Sequence, residues 1–164
     1  MVVSGTWALK IRVDRKSYVV LALNRRFKRR WYVMEDVKLK LSVLWVFEAV
    51  CMSATVLLAL MTEGAIEQVI AGEIEGMKIT EGALLFISIF WLIPLTMAFL
   101  SLILKDSTNR WANIIAGIAW AAFGIFDVGD TLMRGLLTLS LLSAIKTVVA
   151  VLIIWLAWKW PKQK

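Results

Sequence analysis

Residues 109–126 read Asn-Arg-Trp-Ala-Asn-Ile-Ile-Ala-Gly-Ile-Ala-Trp-Ala-Ala-Phe-Gly-Ile-Phe. From Trp111 onward the stretch carries no charge, and its small residues recur at helical spacing: Ala112 with Ala116, Gly117 with Ala121, and Gly124 two turns beyond Gly117. Small positions of this kind let helix backbones approach closely in lipid, where apolar side chains alone do not drive association. The stretch is therefore expected to be the central strut of a membrane helix bundle.

The rest of the chain supports that solvent. At 164 residues the length suits one domain, but an apolar content of 60% and a mean hydropathy of +0.77 exceed those of an ordinary soluble domain. Outward from the strut, apolar segments at 39–61, 83–104 and 136–158 join 111–128 as four spans. Each is long enough for a hydrocarbon core of about 30 Å at about 1.5 Å per residue. Pro94 sits inside the second span and cannot donate to the carbonyl of Phe90, so a bend is expected there, with neighbouring helices covering the freed carbonyl. Between the third and fourth spans, Asp127, Asp130 and Arg134 with Gly129 and Gly135 read as a short polar turn. Ser107, Thr108 or Asn109 is available to cap the third helix. Trp155, Trp158 and Trp160 close the fourth span as headgroup anchors, and Pro161 stops it.

Two segments flank or interrupt the spans. Residues 1–33 form a basic N-terminal extension. Within it, Trp7, Leu9, Ile11 and Val13 alternate with Ala8, Lys10 and Arg12, turn residues follow, and 18–23 is a second apolar run, the pattern of a small hairpin. Arg25, Arg26, Lys28, Arg29 and Arg30, interleaved with Phe27 and Trp31, read as a topogenic flank, or else as a binding surface for anionic headgroups. No signal-peptide cleavage is expected. After the first span, Glu63, Glu67, Glu73, Glu75 and Glu81 face a single Lys78, while Ile66, Val69, Ile70, Ile74 and Met77 fall at steps of three and four. That pattern predicts a short amphipathic helix on the outer interface, with a solvated acidic loop as the plainer alternative.

Alternating the loops and tails sorts the cations. Those through Lys40, then Lys105 and Arg110, then Lys159, Lys162 and Lys164 fall on one side, while the other receives only Lys78 and Arg134. The positive-inside rule then places both termini in the cytoplasm. The formal charge of +7 is thus a matter of topology, and no nucleic-acid partner is expected.

Two ionisable residues lie within spans, Glu48 and Lys146. An unpaired charge near a helix centre costs about 2.5–3.5 kcal/mol on insertion scales, so each needs a partner or a watery cavity. Counted from the cytoplasmic ends they lie about 13 and about 18 Å deep, a difference a lysine stem bridges. They are expected to pair across adjacent antiparallel helices. Cys51 and Thr55 beside Glu48, and Ser143 and Thr147 beside Lys146, extend a polar seam that suits either an ion or small-ligand site or a structural pair. A second candidate is the group Asn109, Arg110 and Asn113, read as contacts to an anionic headgroup at a helix N-terminus, or more economically as a cap with an interfacial anchor.

Chemistry of other kinds finds little here. With no histidine and with Cys51 as the single cysteine, there is no internal disulfide, no CxxC pair and no cysteine-rich zinc site. No serine triad pattern and no phosphate-binding glycine loop is present, and the outer acids do not read as a catalytic pair. No catalytic residues, metal or cofactor are expected.

Residues 34–47, Met-Glu-Asp-Val-Lys-Leu-Lys-Leu-Ser-Val-Leu-Trp-Val-Phe, together with Ile93-Pro94, the run at 109–117 and Ile-Ile-Trp-Leu-Ala-Trp-Lys-Trp-Pro at 153–161, resemble a family of small prokaryotic four-span membrane proteins classed as a domain of unknown function. The resemblance covers residues 34–161, is most specific at 109–117, and implies a prokaryotic cell membrane but no activity. Members of that family tend to have acidic residues where Lys146 and Leu92 stand here. The resemblance also suggests Met34 as a natural start.

The expected protein is all-α, an integral membrane four-helix bundle at the cell membrane with both termini inside, comprising an extension at 1–33 and a four-span domain at 34–164. A non-enzymatic subunit or organiser is the leading function. A small ion, proton or solute transporter using Glu48 and Lys146 in an oligomer is the alternative, and a membrane enzyme ranks last. The expected partners are the lipid bilayer and a second copy or another membrane protein.

Overall fold

A computed structural model describes residues 15–74 and 76–160, with side chains from Glu35 onward. The chain falls into two compact units, Met1–Val33 and Met34–Lys164. The elements run α1 (Arg15–Ala59), α2 (Ala65–Ile70), β1 (Glu73–Ile74), β2 (Met77–Lys78), α3 (Glu81–Ile103), α4 (Asp106–Met133) and α5 (Leu137–Trp158). Four helical segments are long and apolar enough to cross a membrane: Glu35–Ala59, Glu81–Ile103, Asp106–Met133 and Leu137–Trp158.

α1 contains neither glycine nor proline, so nothing in its sequence interrupts helical propagation. Residues 18–23, expected as one strand of a hairpin, are part of it, and the other strand, 7–13, lies outside the described residues. The expected amphipathic outer helix is cut to the six residues of α2. Gly72 takes φ 79°, and its N–H bonds the Val69 carbonyl, the left-handed stop typical of a helix C-terminus. The chain then doubles back: Glu73 pairs with Lys78 and Ile74 with Met77 in a minimal antiparallel ladder closed through Gly76 at φ 77°. Ile74 and Met77 thus leave the face they were expected to share with Ile66.

Thr80 opens α3 by accepting the Ala83 N–H at 3.2 Å. The helix is assigned continuously through Pro94, which is fully buried. α4 starts earlier than expected, at Asp106, with Lys105 as an N-cap that makes no side-chain bond, so Ser107, Thr108 and Asn109 all lie inside the helix. It also runs further. Asp127 and Asp130 belong to its last turns, and the reversal is made at Gly135, φ 74°. Asp127 pairs there with Lys146 at 2.9 Å, the kind of partner a carboxylate needs inside a membrane-length helix.

α4 is the strut that the others engage. Against α5 it forms an antiparallel ladder from Arg110 over the Trp158 ring to Thr131 against Ser140, about 32 Å at the helical rise. Its glycines allow the close approach: a Cβ on Gly117 would lie 2.8 Å from Ile154 Cγ1, and one on Gly124 would collide with Thr147. Against α1 it runs parallel, with Lys38 paired to Asp106, Trp45 bonded to Asn113 and Glu48 bonded to Trp120. From α3, Phe90 stacks on Trp120 at 4.9 Å and meets Phe123 edge-on at 4.8 Å. The core gathers Leu41, Trp45, Met97, Trp120, Ala150 and Ile153. Trp160, expected at the headgroups, is buried in this core, whereas Trp155 and Trp158 are exposed. Pro161 lies outside the described residues.

Outside that core the helices present apolar side chains at helical spacing, such as Val43, Val46 and Val50 on α1, Trp111, Ile115 and Ile118 on α4, and Leu141, Val148 and Leu152 on α5. Contiguous apolar surface on this scale is foreign to soluble monomers and matches a lipid-facing bundle.

Candidate functional site

The interior holds two polar layers. The lower one lies beside the α3–α4 connection and is built on Asn113, which is fully buried. Its Oδ1 accepts the Trp45 Nε1–H at 2.7 Å, and its Nδ2 donates to the Asn109 carbonyl at 2.9 Å and side-chain Oδ1 at 2.7 Å. Asn109, also fully buried, donates through Nδ2 to the Ser101 carbonyl at 2.6 Å. The Ser101 hydroxyl proton lies between the Met97 carbonyl at 2.7 Å and Asn113 Oδ1 at 3.2 Å. Lys38 Nζ seals the edge, donating to the Leu104 carbonyl at 3.0 Å and pairing with Asp106 at 2.9 Å.

This geometry corrects the headgroup reading of Asn109 and Asn113. Both amides face inward and use their polar atoms on α1, α3 and each other, because buried amides left without partners would be costly in lipid. Arg110 alone of the three stays near the surface, with its guanidinium 6.0 Å from the Trp158 ring centre and Nε without a partner.

The upper layer holds the two intramembrane charges. Glu48 is fully buried on α1; Oε2 accepts the Trp120 Nε1–H at 3.2 Å, and Oε1 has no partner. Lys146 does not bond Glu48 as expected. Its Nζ donates to Asp127 Oδ2 at 2.9 Å, and the same oxygen accepts the Ser143 hydroxyl at 2.6 Å. Both charges therefore engage α4, Glu48 through an indole and Lys146 through a carboxylate. Next to them, Met52, Trp120, Phe123, Gly124 and Lys146 line a cavity of about 10 Å³. Above it, Ser140 donates to Thr131 at 2.9 Å, and Thr131 to the Asp127 carbonyl at 2.7 Å. Cys51 is a buried free thiol, and among the described residues no cluster of His, Cys, Asp and Glu has the makings of a metal site.

Residues 30–164 match a family described as "Family of unknown function (DUF6326)". The chain belongs to that family. No curated protein and no solved structure matches it.

In this DUF6326 chain the sequence pointed to Glu48 and Lys146 but missed Asp127, Trp120, Trp45 and Ser101. Two signals were available. Asn113, Trp120 and Asp127 recur every seven residues, as do Gly117, Gly124 and Thr131, which marks two adjoining faces of one helix. Folding the α4–α5 hairpin about Gly135 also brings Asp127 level with Ser143 and Lys146, although the polar turn was expected to include Asp127 itself.

Proposed function

We propose that this DUF6326 protein is a multi-pass cell-membrane protein with both termini in the cytoplasm, acting without catalysis as a subunit or organiser of a membrane assembly. What carries the reading is how the interior polar groups are used. The Asn113 layer and the Lys146–Asp127–Ser143 cluster join helix to helix, and the adjacent cavity is on the scale of one water molecule. Outside that interior the chain offers apolar helix faces. α3 is the least buried of the four membrane-length segments, so it has the most surface to give to a neighbour. The orientation rests on charge. Contacts between Lys38 and Asp106, and between Arg110 and Trp158, bring the start of the first span, the α3–α4 connection and the end of α5 to one level. Lys38, Lys40, Lys105, Arg110 and Lys159 collect there, as the positive-inside rule requires of the cytoplasmic side.

The test is to extract the full chain from its own membrane in mild detergent and determine the stoichiometry, then to measure proton and monovalent-cation flux through the purified protein in vesicles. The expected result is a defined complex, with a second copy or another membrane protein, and flux no greater than that of empty vesicles. A monomer that moves ions across the vesicle wall would overturn the reading.

A further inference from the structure

Glu48, Lys146 and Asp127 bring together two carboxylates and one ammonium, Glu48 and Lys146 buried and Asp127 partly exposed. Asp127 has the ammonium in direct contact at 2.9 Å, and Glu48 has only the indole N–H of Trp120. With all three ionised, the trio carries one uncompensated negative charge in a lipid-embedded interior, where such a charge is expensive. One proton removes it. Among the described residues the surroundings supply no alternative cation: titratable side chains are absent from α3 between Glu81 and Lys105, and are limited to Asp127 on α4 between Arg110 and Asp130, to Lys146 on α5, and to Glu48 and Cys51 on α1 between Lys40 and Ala59.

The geometry points to Glu48 as a proton-binding site filled from the α4–α5 turn side, where Lys146 and the partly exposed Asp127 lie. Glu48 Oε2 has only the Trp120 indole N–H, and Oε1 is a buried acceptor with no partner, the place a proton would occupy. Asp127 keeps about a quarter of its side chain exposed and so opens this group of charges to the turn side. The transfer balances in protons alone. Glu48 takes up one proton from outside water on the α4–α5 turn side. Glu48 ends neutral, with Lys146 and Asp127 charged as before. Below Glu48 the path closes, because Trp120 meets Trp45 edge-on at 6.2 Å and indole N–H groups do not accept protons. The site is therefore a one-sided proton store and does not conduct, which makes it independent of the subunit reading above.

Trp120 Nε1–H reports on it directly. In the full chain with 15N-labelled tryptophan in lipid nanodiscs, assigned by loss of the resonance in Trp120→Phe, the indole signal should titrate with one proton between about pH 4 and about pH 10, the interval from ordinary carboxylates to lysine. Glu48→Gln should abolish the titration. Asp127→Asn leaves Lys146 free to compensate Glu48 and should weaken proton binding tenfold or more, whereas Lys146→Met should strengthen it. In sealed vesicles of uniform orientation the signal should follow the pH on the α4–α5 turn side. A flat wild-type signal, a titration that survives Glu48→Gln, an unchanged proton affinity in Asp127→Asn, or a response to the opposite side's pH would each overturn the proposal. Should Glu48→Gln fail to fold, the wild-type titration and its shift in Asp127→Asn still decide.

Discussion

Asn113 shows how much a single buried amide contributes in a membrane protein. It accepts from Trp45 on α1 and donates twice to Asn109 on its own helix, with Ser101 of α3 alongside. Single hydrogen bonds between membrane helices are worth about 0.6–1.7 kcal/mol, and a buried donor left without an acceptor costs about 1–3 kcal/mol. Asn113→Ala strips the Trp45 indole of its acceptor, so a loss of about 2 kcal/mol is expected in detergent unfolding. Trp45→Phe in the Asn113→Ala background should then cost less than it does alone, a non-additivity that a double-mutant cycle reads. Strict additivity would show the two groups to be uncoupled. Why the sequence misassigned Asn109 and Asn113 also belongs to this scale. Residues near a helix start beside an arginine look interfacial, and only the neighbours' positions show that their amides point inward.

At the scale of elements, the α4–α5 pair is set by glycine. A Cβ at Gly117 would crowd the Ile154 side chain at Cγ1 and stay 3.6 Å from the nearest α5 backbone atom, whereas one at Gly124 would meet Thr147 from Oγ1 down to its Cα, which cannot give way. Overpacking of a well-fitted contact costs about 1–3 kcal/mol. Gly124→Ala is therefore expected to destabilise by about that amount and Gly117→Ala by less, measured by thermal or denaturant unfolding in the same detergent. Thr147→Ala should recover part of the Gly124→Ala loss, because it removes the colliding Oγ1. The opposite ranking of the two glycines would refute the register. Small residues at helical spacing were visible in the sequence as a packing face. That the face is covered by α5 of the same chain was not, since spacing marks a face without naming what covers it.

For the whole molecule, four crossings with cations gathered at one end predict that reporter fusions after Gly72 and after Lys164 lie in opposite compartments; matching compartments would contradict the arrangement. The sequence alone determined the solvent, the number of membrane-length helices and the strut at 109–126, because each depends on composition and periodicity summed over twenty or so residues. Tertiary structure decided the rest. It gave Lys146 to Asp127 and left Glu48 to Trp120, turned Asn109 and Asn113 inward, buried Trp160 and stopped α2 short at Gly72. The physical reason is that a buried polar atom takes whichever partner the packed helices bring within about 3 Å. That distance depends on register and rotation between helices, and neither quantity is written in any one segment.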